Sequence, residues 1–405
     1  MKHLRWSTLR MGSVFLVLLF IIPTLGFGKN DFSKGYEKSL SLSFYNEQIS
    51  IVYDTRILIA PPFQADELSV STFYRNMEQT PYQPFLSNLL QYKNELRLND
   101  WLFYELMWKS VERVMGSNNE LHKELVIWFL LCKAGYNTRL THLGNFVFVY
   151  AHSEENIFET PVIEQEGKMF INLSSLHNQM TTKGALLNML PFAPNPSGKS
   201  FSFDLHVLPN FAPVKKVRTL SFEWKNNTYH LDVTFDLNLI KMMEHYPVFE
   251  KTKYIGAPLS PSASRSLLPQ LREIIKGKTE KEALEIIATF TRSAFSYKDD
   301  EEYFGSNKPM IADEVFHYPY SDGEDRSALF YFLVKKLLRL PMIAVDYTDH
   351  LTIAVATSTP LGKGIHHQNR TYYICDPTTP THSVRIGDAP TAYEHRPFHI
   401  LKIKN

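Results

Sequence analysis

The most informative segment of this chain is Tyr320-Ser-Asp-Gly-Glu-Asp-Arg-Ser-Ala-Leu-Phe-Tyr-Phe-Leu-Val-Lys-Lys-Leu-Leu-Arg-Leu-Pro341. Wound as a helix, it carries an apolar stripe on one face, formed by Leu329, Phe332, Leu333, Leu337 and Leu340. Ser321 and Glu324 can cap its start, and Pro341 ends it because proline cannot continue a helix. The segment therefore predicts one helix with both ends marked.

Three strand-like runs follow this helix, from Met342 to Tyr347, from His350 to Ala356, and from Tyr372 to Asp376. If the last two runs pair as antiparallel neighbours, His350 at the start of one lies beside Asp376 at the end of the other. Their side chains could then form a hydrogen bond. A helix N-terminus aimed at such a pair suits a thiolate nucleophile, because the helix dipole and an imidazolium both lower the pKa of a cysteine.

Four motifs in this part of the chain resemble the transglutaminase-like superfamily of papain-type folds. They are Phe295-Ser-Tyr-Lys-Asp-Asp-Glu-Glu-Tyr-Phe-Gly305, Tyr318-Pro-Tyr-Ser-Asp-Gly-Glu-Asp-Arg-Ser327, Asp346-Tyr-Thr-Asp-His350 and Ile374-Cys-Asp-Pro-Thr378. The order and spacing of the four together make the resemblance specific. It implies an α+β fold, with a helix packed on an antiparallel sheet in a C-terminal domain.

One position departs from the family pattern. Similar exported bacterial proteins read Asp-Cys-Glu-Asp-Arg where this chain reads Asp322-Gly-Glu-Asp-Arg326. In that family the cysteine attacks an amide or acyl carbonyl, the histidine is base and acid, and the aspartate orients the histidine. By this resemblance His350 and Asp376 keep their roles, and the lost nucleophile position is Gly323.

No other residue is a convincing replacement for the missing thiol. Cys375 is next to Asp376 and should point to the opposite face of the strand. Ser321 and Ser327 flank the helix start, but neither occupies position 323. Glu324, Asp325 and Arg326 are interpreted as helix-start electrostatics and an ion pair, with no catalytic role.

One further feature concerns metal binding. His366 and His367 are adjacent, and neighbouring histidines rarely converge on one ion without further ligands, so we expect a solvent-exposed loop there. No cofactor or metal site is predicted.

The rest of the chain divides by composition. The predicted divisions are a signal peptide (1–28), an α+β N-terminal domain (29–195), a β-rich connecting module (196–260) and the transglutaminase-like domain (261–405). The N-terminal domain contains an amphipathic helix from Leu121 to Ala134 followed by strand-like runs, Thr138 to His142 and Phe146 to Tyr150. This order is equally consistent with a decayed copy of the C-terminal fold and with a generic α+β pattern.

The middle and early C-terminal segments have their own signals. Strands are predicted from Phe201 to Val207, Leu220 to Trp224 and Tyr229 to Phe235, with a tight turn at Asn226-Asn227. A Pro/Ser stretch, Pro258 to Ser264, then precedes helices from Leu267 to Lys276 and from Thr279 onward.

The N-terminus predicts export. Basic residues including Lys2, Arg5 and Arg10 precede a short apolar run from Val14 to Ile22, the order of a signal peptide. The expected destination is the periplasm or the extracellular space, without stable membrane insertion after cleavage.

The net charge of +1 gives no global attraction to nucleic acid. The two cysteines, Cys132 and Cys375, are expected as separate buried thiols.

Three functions remain open from the sequence. The leading hypothesis is a transglutaminase-like pseudoenzyme, in which the former active-site groove binds a peptide, a protein or a peptidoglycan-type ligand, because Gly323 cannot form an acyl-enzyme. The first alternative is an active cysteine-protease or transglutaminase-type hydrolase or acyltransferase that uses another nucleophile or water activated by His350. The second alternative is a purely structural protein of the cell envelope.

Overall fold

The computed structural model describes residues 35–116, 119–178, 187–378 and 385–403. The predicted signal peptide lies outside these ranges. Within them, no helix is both long enough and apolar enough to cross a membrane. The fold is mixed α+β, with several helices and two curled antiparallel sheets.

Eleven helices can be numbered along the described ranges. They are α1 (Glu67–Glu78), α2 (Gln83–Glu95), α3 (Asp100–Met115), α4 (Glu120–Lys133), α5 (Leu173–Asn178), α6 (Leu237–Met243), α7 (Lys251–Gly256), α8 (Pro261–Ile275), α9 (Glu280–Ser293), α10 (Asp300–Phe304) and α11 (Gly323–Leu337). Short 3₁₀ turns occur at Thr55–Ile57 and Glu314–Phe316.

The strands of the same ranges form two large sheets and three small pairs. They are β1 (Glu37–Phe44), β2 (Glu47–Asp54), β3 (Thr138–Leu143), β4 (Phe146–His152), β5 (Val162–Gln165), β6 (Lys168–Asn172), β7 (Asn188–Met189), β8 (Lys215–Trp224), β9 (Asn227–Asp236), β10 (Ser296–Tyr297), β11 (Tyr320–Ser321), β12 (Met342–Asp346), β13 (Leu351–Val355), β14 (Ile365–His367), β15 (Arg370–Ile374) and β16 (His399–Leu401).

The two large sheets share one topology. The N-terminal sheet has the strand order β5-β6-β4-β3-β7, and the C-terminal sheet has the order β14-β15-β13-β12-β16. Replacing each strand by its counterpart along the chain converts one order into the other. Every pair in both sheets is antiparallel, and each sheet follows a helix, α4 or α11. The order of a helix followed by strands, which the sequence shows in both halves, thus extends to all five strands of each sheet.

Each sheet packs against its own helix in a separate hydrophobic core. In the N-terminal half, α4 is buried along most of its length because its apolar residues surround the whole helix, and Trp128 is fully covered. In the C-terminal half, α11 packs with Leu329 and Leu333 in the same core as Ile353 of β13. The β8–β9 hairpin belongs to this second core, where it contacts α8 and α9.

Several predicted elements are confirmed with small changes of boundary. Helix α4 and strands β3 and β4 lie where the sequence places them, and so do the hairpin strands β8 and β9. The hairpin turn is one residue earlier than predicted, because Lys225 and Asn226 are the residues with positive φ, at 46° and 61°. The capping box of α9 between Thr279 and Glu282 is present.

The prediction of a strand from Phe201 to Val207 is wrong. The side chains of Phe201, Phe203 and Leu205 do alternate into the N-terminal core, which explains the strand-like pattern. The backbone N–H groups of Ser202 and Phe203, however, donate to the carboxylates of Asp100 and Glu155, at 3.0 and 2.8 Å, instead of to a neighbouring strand. Side-chain acceptors therefore replace the sheet ladder there.

The Pro/Ser stretch from Pro258 to Ser264 is also partly helical. Helix α8 begins at Pro261, six residues before the predicted start at Leu267. Ser260 caps it by accepting the N–H of Ala263 at 3.2 Å, and proline suits the first helical position because its fixed φ is already helical. The stretch is thus a helix start and not only a linker.

Candidate active site

The candidate site begins at the first turn of α11. The sequence predicts a cap from Ser321 and Glu324, but the structure caps this helix with Asp322 and Asp325. Asp322 accepts the N–H groups of Glu324 and Asp325, and Asp325 accepts the N–H of Asp322 at 3.0 Å. The aspartate box satisfies the first free N–H groups of the helix and leaves Gly323 as its first residue.

His350 and Asp376 come together as the antiparallel pairing predicts. Strands β13 and β15 are neighbours, with Ala354 opposite Ile374, so His350 just before one strand approaches Asp376 just after the other. His350 Nε2 lies 3.0 Å from Asp376 Oδ2, and the aspartate is fully buried. Burial alone would raise the pKa of Asp376, but the bonds from His350 and Thr378 hold that pKa below its usual range.

Thr378 is a third member of this cluster. Its hydroxyl donates to Asp376 Oδ1 at 2.5 Å, and its backbone N–H donates to the same oxygen at 2.8 Å. The hydroxyl oxygen also lies 3.4 Å from His350 Nε2. Both oxygens of Asp376 are therefore engaged, one by the imidazole and one by Thr378, which fixes the orientation of the carboxylate.

Gly323 faces this cluster directly. A Cβ atom placed on Gly323 would lie 3.4 Å from Thr378 Cβ and 3.5 Å from its Cγ2, which is ordinary van der Waals contact. The backbone at Gly323 has no positive φ that would require glycine. Position 323 therefore accepts a small side chain next to Thr378, and the glycine is not imposed by backbone geometry.

Two buried arginines hold the chain that carries Asp376 and Thr378. Arg292 donates to the carbonyl of Asp376, and Arg326 donates to the carbonyl of Thr378 at 3.2 Å. Arg326 also donates to Ser321 Oγ at 3.1 Å and to the Phe295 carbonyl at 2.8 Å. Arg326 thus joins the helix start, the segment before it and the Asp376–Thr378 turn.

Aromatic residues cover one side of the imidazole. The ring of Tyr393 stacks on His350, with centroids 4.4 Å apart and planes inclined by 21°. Tyr347 contacts Tyr393 in turn, at 5.1 Å between centroids. Arg396, in the same C-terminal segment as Tyr393, pairs with Asp349 beside His350 at 2.8 Å. The C-terminal segment therefore packs over the turn that carries His350.

Carboxyl groups crowd the start of α11. Burial, followed by the charge of Asp322, raises the pKa of Asp300 to about 7, and burial also raises the pKa of Asp322 and Asp325. Glu324 is paired with Lys251 at 2.6 Å. Asp325 accepts the backbone N–H of Met310, and Arg326 donates to the Phe295 carbonyl and to Ser321 Oγ, so these residues of the helix start are bonded within the protein itself.

The other hydroxyl and thiol groups named from the sequence are either hydrogen-bonded within the protein or buried in its cores. Ser321 Oγ accepts from Arg326, and Ser327 Oγ donates to the carbonyl of Leu351. Cys375 is completely buried in the core of α11, where burial raises its thiol pKa. Cys132 is likewise buried, and burial raises its pKa to about 12. Both cysteines are free thiols, as predicted.

The prediction of a loop at His366 and His367 is wrong. Both residues belong to the edge strand β14, paired with Thr371 and Arg370 of β15, because the turn at Gln368-Asn369 closes a tight hairpin. Successive strand residues point to opposite faces, which separates the two imidazoles. Over the described ranges, no group of three or more His, Cys, Asp or Glu side chains is arranged to hold a metal ion.

Sequence reasoning missed Thr378, Arg292 and Tyr393. Thr378 closes the Ile374-Cys-Asp-Pro-Thr378 motif, and its position two residues after an aspartate is a usual place for a turn-closing hydroxyl. Arg292 ends an amphipathic helix and Tyr393 lies in an irregular segment, so neither carries a local signal. Only tertiary contacts place these two residues at the site.

Comparisons with protein-family models, with curated proteins and with solved structures gave no match.

Proposed function

We propose that the C-terminal domain is a transglutaminase-like domain without catalytic activity, which binds a peptide-type ligand of the cell envelope in the groove beside His350. The observation that carries this proposal is the ordered His350–Asp376 pair at the N-terminus of α11, where Gly323 supplies no side chain. The pair can polarise or hydrogen-bond a ligand. Without a thiol at position 323 it has no nucleophile for acyl transfer.

The imidazole is available to a ligand. Its Nε2 atom is used by Asp376, and no residue in the described ranges forms a hydrogen bond with Nδ1. The side chain is 12% exposed, so the free nitrogen can meet a carbonyl or amide of a bound peptide. Tyr393, which stacks on the imidazole, adds partly exposed aromatic surface next to it, which suits an extended peptide with apolar side chains.

The buried carboxylate of Asp376 also supports a binding function for this site. Asp376 is fully buried, and a buried carboxylate is costly unless it is paired and hydrogen-bonded. The protein supplies His350, Thr378 and the nearby Arg292 for this purpose. A purely structural spacer could instead fill the same space with apolar side chains, so the polar cluster favours binding over the spacer alternative.

The test is calorimetric titration of the native protein with a synthetic peptidoglycan stem peptide, and with a linear peptide of equal length and charge. We expect saturable binding of the stem peptide without cleavage. Gly323→Phe should weaken the affinity at least about tenfold by placing a large side chain next to Thr378, and His350→Ala should weaken it by removing the imidazole donor or acceptor.

Glu273→Gln, on the exposed part of α8, is the matched control and should bind like the native protein. Affinity that is unchanged by both groove variants, or absent for both peptides, would contradict the proposal. Peptide turnover that disappears in His350→Ala would instead support the hydrolase alternative.

One observation favours a second candidate, a hydrolase that uses Thr378. Its hydroxyl oxygen lies 3.4 Å from His350 Nε2, close to the reach of a general base. The same hydroxyl, however, donates to Asp376 at 2.5 Å and Thr378 is 2% exposed. A hydroxyl that is held by the orienting aspartate is poorly placed to attack a substrate, so we rank this candidate second.

A further inference from the structure

The shared topology of the two sheets defines equivalent positions in the N-terminal half. Glu120 is the first residue of α4, as Gly323 is the first residue of α11. Ser174 lies two residues after the end of β6, as Asp376 lies two residues after the end of β15. The N-terminal half therefore has a place that corresponds to the candidate active site, with different side chains.

A cleft of about 270 Å³ lies at this corresponding place. It is bounded by the start of α4, the first residues of β4, the last turns of α3, and α5. The side chains that matter for its chemistry are Trp108, Glu112, Glu120, Lys123, Glu124 and Phe146. The fold thus offers a second cleft, independent of His350 and Asp376.

A buried carboxyl group lines this cleft. Glu124 is only 3% exposed, and Ser174 Oγ donates to its Oε2 atom at 2.8 Å. No residue in the described ranges forms a hydrogen bond with the other oxygen of Glu124. Ser174 itself also accepts the backbone N–H of Val149 at 2.8 Å, so it is fixed in place. The cleft therefore presents one carboxyl oxygen that is held in position and lacks a partner.

The rim of the cleft is acidic. Glu112 and Glu120 are about half exposed, at 53% and 52%, and they share one cation, Lys123, whose side chain is 3% exposed. Lys123 Nζ lies 2.5 Å from Glu120 and 4.0 Å from Glu112. One buried lysine facing two rim carboxylates leaves excess negative charge at the mouth, which attracts a cation.

Apolar walls complete the cleft. Phe146 is 59% exposed although it begins a strand. Trp108 is buried beneath the rim, with its ring stacked on His177 at 4.4 Å and Lys123 Nζ 5.0 Å from its centroid, so it reports on the cleft from below. We infer that this cleft binds a primary ammonium group carried on an alkyl chain, of the size of a lysine side chain. The alkyl chain packs against the exposed ring of Phe146, and the ammonium reaches the rim carboxylates and the unpartnered oxygen of Glu124.

Binding of such a cation is linked to the ionisation of Glu124. Burial raises the pKa of Glu124 to about 8, so this group is mostly neutral below that pH and ionised above it. The ammonium favours the ionised form, so its affinity should rise with pH and level off above about 8. Of the other titratable groups on the surrounding helices, those that line the cleft or interact with Glu124 or its neighbours are Tyr104, Glu105, Glu112, Glu120, Lys123 and His177.

The experiment uses the full chain labelled with ¹⁵N-tryptophan and follows the Trp108 indole signal by NMR. The probe is Nα-acetyl-lysine amide, which stays protonated because the lysine pKa is about 10.4. Nα-acetyl-norleucine amide is the neutral probe of the same shape. We expect a saturable shift with the lysine probe only, and an affinity that rises about tenfold between pH 6.5 and 8.5.

Three variants test whether Glu124 is the source of the pH dependence. Glu124→Gln keeps the shape and the Ser174 contact, and it should abolish most of the pH dependence. His177→Gln should retain that pH dependence, which excludes the histidine as its source. Glu273→Gln on α8 should bind like the native protein. Equal shifts with both probes, no shift at all, or an unchanged pH profile in Glu124→Gln would overturn the inference, whether or not a peptide binds beside His350.

Discussion

Gly323→Cys is expected to produce a thiol that reacts with iodoacetamide at pH 7 about tenfold or more faster than an ordinary exposed cysteine. The new thiol would lie at the first residue of α11, next to Thr378, whose hydroxyl oxygen is 3.4 Å from His350 Nε2. Helix N-termini and neighbouring imidazolium groups lower the pKa of a cysteine from about 8.5 to between about 3.5 and 7.5. The backbone accepts a Cβ atom at this position, because that atom would lie 3.4 Å from Thr378 Cβ.

Nearby carboxyl groups oppose this effect, but two facts limit their influence. The carboxylate of Asp322 accepts the backbone N–H groups of Glu324 and Asp325, and Glu324 is paired with Lys251 at 2.6 Å. The double variant Gly323→Cys, His350→Ala should lose most of the added rate, since the imidazole is its main source. The native thiols are buried and should be labelled only after unfolding.

Two results would contradict the claim that His350 and the start of α11 activate a thiol at position 323. In one, the thiol of Gly323→Cys reacts at the rate of a free cysteine; in the other, adding His350→Ala leaves its rate unchanged. Peptide mapping by mass spectrometry identifies which of the three cysteines carries the label. Rapid labelling of native Cys375 in the folded protein would also contradict the account, because that residue is completely buried.

Arg326→Met is expected to destabilise the folded chain by about 3–5 kcal/mol, as measured by urea unfolding. The guanidinium is 1% exposed and donates to two backbone carbonyls and to Ser321 Oγ. Methionine fills a similar volume but leaves all three acceptors unpaired. It also removes a cation that interacts electrostatically with the buried carboxyl of Asp325.

Arg396→Met is the matched control. Arg396 pairs with Asp349 at 2.8 Å, but both side chains are about half exposed, at 48% and 54%. Exposed ion pairs contribute little to stability because water and salt screen them. We expect urea curves that overlay those of the native protein. If Arg326→Met unfolds at the same urea concentration as Arg396→Met, Arg326 does not hold the site together.

Much of the C-terminal architecture could be predicted because its signals are local. The apolar stripe of α11, the alternation of β12, β13 and β15, and Pro341 are read within short windows of sequence. The approach of His350 to Asp376 then follows from one assumption, that neighbouring strand-like runs pair in antiparallel fashion. The same logic placed α4, β3 and β4 in the N-terminal half.

Other features depended on tertiary contacts. The chain at Phe201 has the alternation of a strand, but its N–H groups find carboxylates of Asp100 and Glu155 that are remote in sequence. Tyr393 reaches His350 from an irregular segment near the end of the chain. The predicted cap of α11 by Ser321 and Glu324 is wrong, because Ser321 and Asp322 are adjacent capping residues and Asp322 is the one whose side chain accepts the first N–H groups of the helix.

The most direct test of the account is intact-protein mass spectrometry after incubation with a peptide aryl ester, followed by mapping of any acylated residue. We predict that the native protein forms no acyl adduct at Thr378 or Cys375, whereas Gly323→Cys forms one at position 323. Thr378→Val in the native background should change nothing in this measurement. An acyl adduct on Thr378 or Cys375 of the native protein would contradict the claim that this site lacks a nucleophile.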